Sequence, residues 1–217
     1  VLTVLHAGGK FNQKIYKSAG GLHGVGISVV NALSKNLKVI VKRDGFIWTQ
    51  EYKQGKPITE LKRGKSTKET GTIIIFEPDS QIFPEIRWEV KRILDYLRHQ
   101  AYLTPGLRIN FFDERNGFRY SFYFEKGIRA FFEHIILNKK SVINDYIFIS
   151  EKRENFELDV AFTYLESSET VEYFFTNNIL NPEGGTHFLG FRSALVKTLN
   201  KVGVQLGLIK ESNGLVI

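Results

Sequence analysis

Gly20-Gly21-Leu22-His23-Gly24-Val25-Gly26 runs without a break into Ile27-Ser28-Val29-Val30-Asn31-Ala32-Leu33. A glycine-rich loop that opens directly onto a helix lets backbone N–H groups and the positive helix end converge on an anion. Gly21, Gly24 and Gly26 leave the backbone free for close approach and permit angles closed to other residues. Two familiar phosphate motifs are excluded on the same residues. No Lys-Ser or Lys-Thr follows the glycines, as a Walker A loop requires. Ile27-Ser28-Val29 follows Gly24-Val25-Gly26, so the third glycine of a dinucleotide fingerprint is missing. On these residues alone, anion binding and a purely structural tight turn both stay open. His23 sits inside the loop without a carboxylate partner evident in sequence, which suits a positioning or phosphate-contact role better than proton transfer.

Downstream, the pattern predicts a buried helix from Ile27 that stops near Lys35-Asn36. Leu37, Val39 and Val41 then alternate as a strand, Asp44-Gly45 supplies a hairpin turn, and Phe46 to Tyr52 returns. Gly55-Lys56-Pro57 turns the chain, Lys62 to Lys68 reads as a basic exposed stretch, and Thr72 to Phe76 is a strand closed by Pro78-Asp79. Ile86, Val90, Ile93, Leu94, Leu97 and Ala101 recur at helical spacing as far as Thr104-Pro105-Gly106. Leu107 to Phe112 and Phe118 to Phe124 form a second hairpin about Asn116-Gly117. Beyond Gly127, Ile128, Phe131, Phe132, Ile135 and Ile136 make one helix face. Phe156 to Tyr164 is a strand with Val171 to Phe175 as its expected partner. Thr186 is the expected N-cap of a helix carrying Phe188, Phe191, Leu195 and Leu199 on one side. This is an α+β chain, with domains expected at 1–126 and 127–217.

With 217 residues, 42% of them hydrophobic, and 18 Phe and 9 Tyr, the chain can bury a real core. It has no Cys, which excludes disulfides and thiolate metal sites. His6, His23, His99, His134 and His187 lack metal-ligand spacing, so no metal site is expected. No apolar run reaches a bilayer span, and a soluble, cytoplasmic protein without membrane contact is expected. The net charge of +7 comes from Lys and Arg that read as spread along the chain. Polyanion contact and a solvated basic surface are both compatible with it. The apolar start at Val1-Leu2-Thr3-Val4-Leu5, the absence of Met and the stop at Gly214-Leu215-Val216-Ile217 suggest a segment of a longer polypeptide.

Several stretches now combine: Leu2-Thr3-Val4-Leu5-His6-Ala7-Gly8-Gly9-Lys10-Phe11, Tyr16-Lys17, Gly20 through Gly26, Val29-Val30-Asn31-Ala32-Leu33-Ser34, Arg43-Asp44-Gly45 and Thr70-Gly71-Thr72. Phe175-Thr176-Asn177-Asn178-Ile179, Gly184-Gly185-Thr186-His187 and Gly190-Phe191-Arg192 follow in the same order. Together they resemble the ATP-binding B subunits of bacterial type II DNA topoisomerases, those of gyrase and topoisomerase IV. The resemblance implies the later part of an ATPase sandwich of the kind shared with a heat-shock chaperone, mismatch-repair proteins and histidine kinases. Part of a transducer domain with a ribosomal-protein-like fold would follow it. In that family ATP closes a dimer gate on DNA, so homodimerisation, DNA and the DNA-cleaving A subunit are the implied partners, with ATP and Mg2+ as the implied ligands.

By the same resemblance Gly21, Leu22, His23, Gly24, Val25, Gly26 and Ile27 would wrap the triphosphate. Lys10 and Tyr16 would line the nucleotide site and Thr72 would lie near the adenine. As bare residues, Lys10 reads equally as a solvated lysine, Tyr16 as a packing ring and Thr72 as a strand hydroxyl. The family's catalytic glutamate, magnesium asparagine and adenine-reading aspartate lie upstream of the lid, and its γ-phosphate lysine lies beyond Ile217. No catalytic residue and no ATP turnover are therefore expected of this chain alone. Glu151 and Asn155 repeat the glutamate-to-asparagine spacing in the wrong place and are read as coincidence. Ser18-Ala19 stands where the family has an apolar residue followed by serine, which removes any hydrogen bond that serine would make. Arg192 and Lys197 are the expected DNA-phosphate contacts, against a reading as solvated helix surface. The rival functions are the topoisomerase IV subunit rather than the gyrase one, and a non-catalytic nucleic-acid-binding scaffold of the same fold. Intact glycines at 21, 24 and 26 favour nucleotide use over the scaffold.

Overall fold

The computed structural model describes residues 1–8 and 23–210. They form two compact units, Val1–Val90 and Lys91–Ile217. In the first unit, helix α1 (Gly26–Ala32) leads into β1 (Ser34–Arg43), β2 (Phe46–Lys53), β3 (Lys56–Pro57), β4 (Lys62–Ser66) and β5 (Gly71–Pro78). The strands make one antiparallel sheet in the order β3-β2-β1-β5, with β4 also paired to β2.

The helix ends earlier than its apolar run predicts, because the residues after it are claimed by the sheet. The buried Ser34 hydroxyl donates to the Val30 carbonyl at 2.6 Å. The Leu33 and Ser34 carbonyls accept from the Asp79 and Gln54 amides, both at 3.0 Å. The buried face of α1 is also polar rather than apolar. Ser28 and Asn31 point inward, while Val29 is 43% exposed.

Asp44 and Gly45, at φ 53° and 81°, form the expected tight hairpin turn with Arg43 opposite Phe46. Gln54-Gly55 repeats this geometry at φ 48° and 81°, with Lys53 opposite Lys56. The basic stretch is exposed as expected, but it is a strand, β4, whose Arg63 guanidinium lies 4.6 Å from the centre of the Phe46 ring. Cross-strand register places Leu37, Val39 and Val41 on one face with Tyr52, Gln50 and Trp48 on one side and Phe76, Ile74 and Thr72 on the other. Leu37, Val39 and Tyr52 are the buried core of this face, with Leu2, Val30 and Val41 packed on it.

The second unit comprises α2 (Val90–Leu103), β6 (Ile109–Asp113), β7 (Phe118–Phe122), α3 (Ile128–Ile136), β8 (Ile147–Lys152), β9 (Glu157–Phe162), β10 (Phe175–Thr176), β11 (Ile179–Leu180) and α4 (Thr186–Gln205). Ile86, expected inside the first of these helices, precedes it. The 86–89 segment stays with the sheet through the edge-on contact of Trp88 with Phe76, ring centres 6.1 Å apart. The β6–β7 hairpin closes through four residues, with Asp113 opposite Phe118. The buried Asp113 carboxylate accepts from the backbone N–H, Nε and Nη2 of Arg115, and those hydrogen bonds hold its pKa below the ordinary carboxylate value. Only Gly117 of the expected Asn-Gly pair adopts positive φ, 73°.

Two expectations fail here. The partner of β9 is β8, not Val171 to Phe175. The rings of Tyr173 and Phe175 pack against Phe131 instead, at 5.1 and 5.8 Å, and Phe175-Thr176 pairs locally with Ile179-Leu180 about Asn177-Asn178. That turn is tied to α2, where the Gln100 amide donates to the Asn178 carbonyl and the Asn178 amide donates to the Thr104 hydroxyl, each at 3.0 Å. Thr186 is the first residue of α4 rather than its cap. Gly185 holds the cap position in extended backbone, and no side chain caps the helix.

The expected domain border at 126/127 and the compact units divide the chain differently. α2 and the β6–β7 hairpin group with later residues because Tyr102 stacks on Phe124 at 3.7 Å and tilts against Phe131 at 5.2 Å. Gly127 itself is tightly constrained, with φ 59° and only 2.8 Å between a Cβ built there and Cγ of Pro105. Gly127→Ala is expected to lower stability by about 1–3 kcal/mol. A denaturant midpoint equal to that of the parent chain would contradict this.

His99 is packed edge-on to Phe131 at 5.4 Å and lies near Tyr173 and Phe175. Burial pushes its pKa below the ordinary value of 6.5. Arg98 adds to the shift and Asp95 opposes it. The unfolded chain therefore binds the proton first, and stability that is full above 6.5 is lost as the pH falls below it. Thermal unfolding followed from about pH 7.5 to about pH 5.5 should show this decline, and His99→Phe should flatten it. Equal slopes for the two proteins would count against the assignment.

Candidate functional site

The loop that opens α1 is held from two directions. The His6 ring donates through Nδ1 to the His23 carbonyl oxygen at 2.8 Å, which requires the Nδ1–H tautomer or the imidazolium. The Asn31 side chain, fully buried in α1, donates to the Leu2 carbonyl at 3.1 Å and the Gly55 carbonyl at 3.4 Å. The Gly55 amide in turn donates to the Asn31 carbonyl at 3.1 Å. One asparagine thus joins the start of the chain, the helix and the β2–β3 turn. Its Oδ1 is buried without a hydrogen-bond partner among the described residues. Neither tie was foreseen from sequence, although a lone Asn between apolar residues in Val29-Val30-Asn31-Ala32-Leu33 is the signal of a buried polar tie.

The glycines differ in what they supply. Gly24 adopts φ 60°, a left-handed conformation that glycine takes without steric cost. A Cβ added at Gly26 would meet nothing within 4 Å among the described residues. Val25 is the N-cap residue, and among the described residues no side chain caps the helix or accepts from its first-turn N–H groups. The Ser28 hydroxyl turns back to donate to the Val25 carbonyl at 2.9 Å. Val25 and Ile27 are half-buried and His23 is exposed.

Of the other expected site residues, Lys10, Tyr16, Gly21 and Leu22 lie outside the described residues. Thr72 is opposite Val41 on β5, on the sheet face that carries the core and Val30 of α1. Among the described residues no hydrogen bond links it to residues 23–27. Arg192 and Lys197 are both exposed on α4. Five residues apart, they are turned about 140° from one another around the helix axis. Glu151 forms an ion pair with Arg153 at 2.7 Å, at the end of the β8–β9 hairpin. No helix among the described residues is long and apolar enough to cross a membrane.

Comparison with known proteins adds identity to this geometry. A family model described as DNA gyrase B matches residues 127–216. The topoisomerase 4 B protein of Bacillus subtilis is 40% identical over 214 residues, covering 98% of this chain and 32% of that protein. The DNA gyrase B protein of Campylobacter jejuni is 46% identical over 200 residues, covering 92% of this chain and 26% of that protein. The chain thus spans about a third or less of the length of these relatives. Among solved structures, the 43K ATPase domain of Thermus thermophilus gyrase B, in complex with an aminocoumarin, has a TM-score of 0.75 at 30% identity. That match covers 87% of this chain and 52% of the other. Gyrase B from Myxococcus xanthus, at 21% identity, a TM-score of 0.73 and coverage of 82% and 52%, shares the fold.

Proposed function

We infer that this chain, a member of the family of gyrase and topoisomerase IV B proteins, is part of an ATP-binding subunit of a type II DNA topoisomerase. The subunit couples ATP binding and hydrolysis to the passage of one DNA duplex through another. The observation that carries the reading is the start of α1, entered through left-handed Gly24, where among the described residues no side chain caps the helix and no atom lies near a Cβ at Gly26. It stands in a chain similar to gyrase B and topoisomerase IV B sequences over nearly its whole length. Backbone N–H groups at such a helix start hold phosphate oxygens without a charged side chain.

In this reading His23 to Ile27 wrap the triphosphate together with Gly21 and Leu22, Lys10 and Tyr16 line the site, and Thr72 lies near the adenine. The binding step derived from the described residues is one of backbone donors, positioned by the Asn31 and His6 ties. Mg2+ accompanies the nucleotide, held by the asparagine that the resemblance places upstream of the lid. Residues 1–126 then act as the later part of the ATPase domain and 127–217 as the early transducer. The start of the family match at Gly127 supports that border. DNA, a DNA-cleaving A subunit and a second copy of the ATPase domain are the partners, with Arg192 and Lys197 contacting DNA phosphates, in the cytoplasm. Gyrase is the reading chosen over topoisomerase IV because gyrase B names recur among the relatives.

The test is reconstitution of the full-length subunit with its A subunit. ATP-dependent negative supercoiling of relaxed plasmid supports gyrase, while ATP-dependent decatenation without supercoiling shifts the assignment to topoisomerase IV. The absence of any ATP hydrolysis would remove both and leave the scaffold reading. The isolated 217-residue chain is expected to release no phosphate from ATP.

A further inference from the structure

The excess positive charge of the chain is concentrated rather than spread. Residues 53–68 carry Lys53, Lys56, Lys62, Arg63, Lys65 and Lys68 against the single carboxylate of Glu60, a net of +5 within a chain of net +7. The fold places this stretch along one side of the five-stranded sheet. β3 and β4 both pair with β2 on the side away from β1, and every residue of both strands is exposed.

Three features separate this edge from an ordinary solvated surface. The lysines of the neighbouring strand are neutralised, Lys35 by Glu77, Lys38 by Glu51 and Lys42 by Glu69. Lys56, Lys62, Lys65 and Lys68, by contrast, have no carboxylate within ion-pair distance among the described residues. Lys53 and Lys56 stand directly opposite one another in the β2–β3 register, and like charges so placed are destabilising; of the two, Lys53 also acts on the Asp79 carboxylate, whose pKa it helps to lower. Lysine is also a common guard against edge-to-edge pairing. Edge guarding calls for charge on the paired strands themselves, and the basic run continues past the end of β4 to Lys68.

We propose that the β3–β4 edge is a contact surface for the phosphate backbone of duplex DNA. The surface rests on the topoisomerase reading above for its choice of polyanion. Its features fit backbone contact without sequence readout: lysine ammonium groups on and beside exposed strands, with no carboxylate within ion-pair distance among the described residues, at the rim of a sheet.

The experiment uses the full-length subunit and a labelled duplex of arbitrary sequence, with affinity measured across a range of salt concentrations. Lys62→Gln, Lys65→Gln and Lys68→Gln are combined, since none of these residues packs on a ring or belongs to the nucleotide loop. Removing three phosphate contacts should reduce the slope of log affinity against log salt by up to about 2.7. It should also weaken binding by at least about tenfold at low salt for any sequence. The control combines Lys139→Gln, Lys140→Gln and Lys152→Gln, which removes equal charge elsewhere. Parental slope and affinity in the edge variant, or an equal loss in the control, would overturn the proposal. So would intact DNA binding with lost affinity for an acidic polypeptide, which would assign the edge to a protein partner. DNA-free ATP hydrolysis reads the functional assignment separately and should be unchanged in the edge variant.

Discussion

Gly24→Val in the full-length subunit is expected to reduce affinity for a non-hydrolysable ATP analogue by on the order of 10²-fold, with a matching loss of turnover. Gly24 sits at φ 60°, where an L-residue costs roughly 1–2 kcal/mol and a β-branched one more. The chain relieves that strain by rotating out of the left-handed region, which re-aims the N–H groups of Val25 and Gly26 at the start of α1. Because these donors act through position, a shift of about 1 Å removes most of their effect on phosphate. Gly26→Ala is the companion variant. Its φ is ordinary and its Cβ would meet nothing within 4 Å among the described residues, so folding should be preserved. Any loss of affinity there reports a ligand at that position. Calorimetric titration separates the two, and unchanged binding by Gly24→Val would remove the loop from the nucleotide site.

Phe131→Ala is the substitution expected to cost the most stability, about 3–5 kcal/mol. Phe131 is 6% exposed and meets His99, Tyr102, Tyr173 and Phe175 with ring centres 5.1 to 5.8 Å away. These rings arrive from α2 and from the 173–175 segment, while Phe131 itself lies on α3, so the phenyl group joins elements that have no sheet in common. Deleting it leaves a cavity that the surrounding aromatics, each held by other contacts, can close only in part. Phe131→Leu should recover a substantial share of the loss. Chemical denaturation followed by tyrosine fluorescence measures both, and a cost under about 1 kcal/mol for the alanine variant would show that this ring does not organise the unit.

The sequence-based reading succeeded where the controlling physics is local. Asp44-Gly45 specified its turn because only residues tolerant of positive φ close so short a hairpin, and the alternation of Leu37, Val39 and Val41 set the core face of β1. The helix from Ile128 to Ile136 followed from apolar spacing alone. Errors arose where distant residues compete for the same groups. Val171 to Phe175 has the composition of a strand, yet its rings went to Phe131 and its pairing stayed local, while β8 took the place beside β9. Thr186 has the chemistry of a cap but lies one residue inside its helix.

The candidate site divides in the same way. Its glycines, its order of motifs and its family resemblance are properties of the chain read in one dimension. The His6–His23 and Asn31–Leu2 ties join residues 17 and 29 positions apart, and no pattern of spacing announces them. The basic edge shows the same limit. A basic stretch evident in sequence becomes part of one surface with Lys53 and Lys56 only when the β2–β3 and β2–β4 registers align them, while Glu77, Glu51 and Glu69 pair with lysines of β1. By itself, the sequence determined the helices and the β1–β2 and β6–β7 hairpins, because backbone sterics and hydrophobic period act over a few residues. Tertiary structure alone decided which strands pair, which polar groups are buried and where charge stays unpaired, because those outcomes depend on which distant segment arrives first at each hydrogen-bonding edge and apolar face.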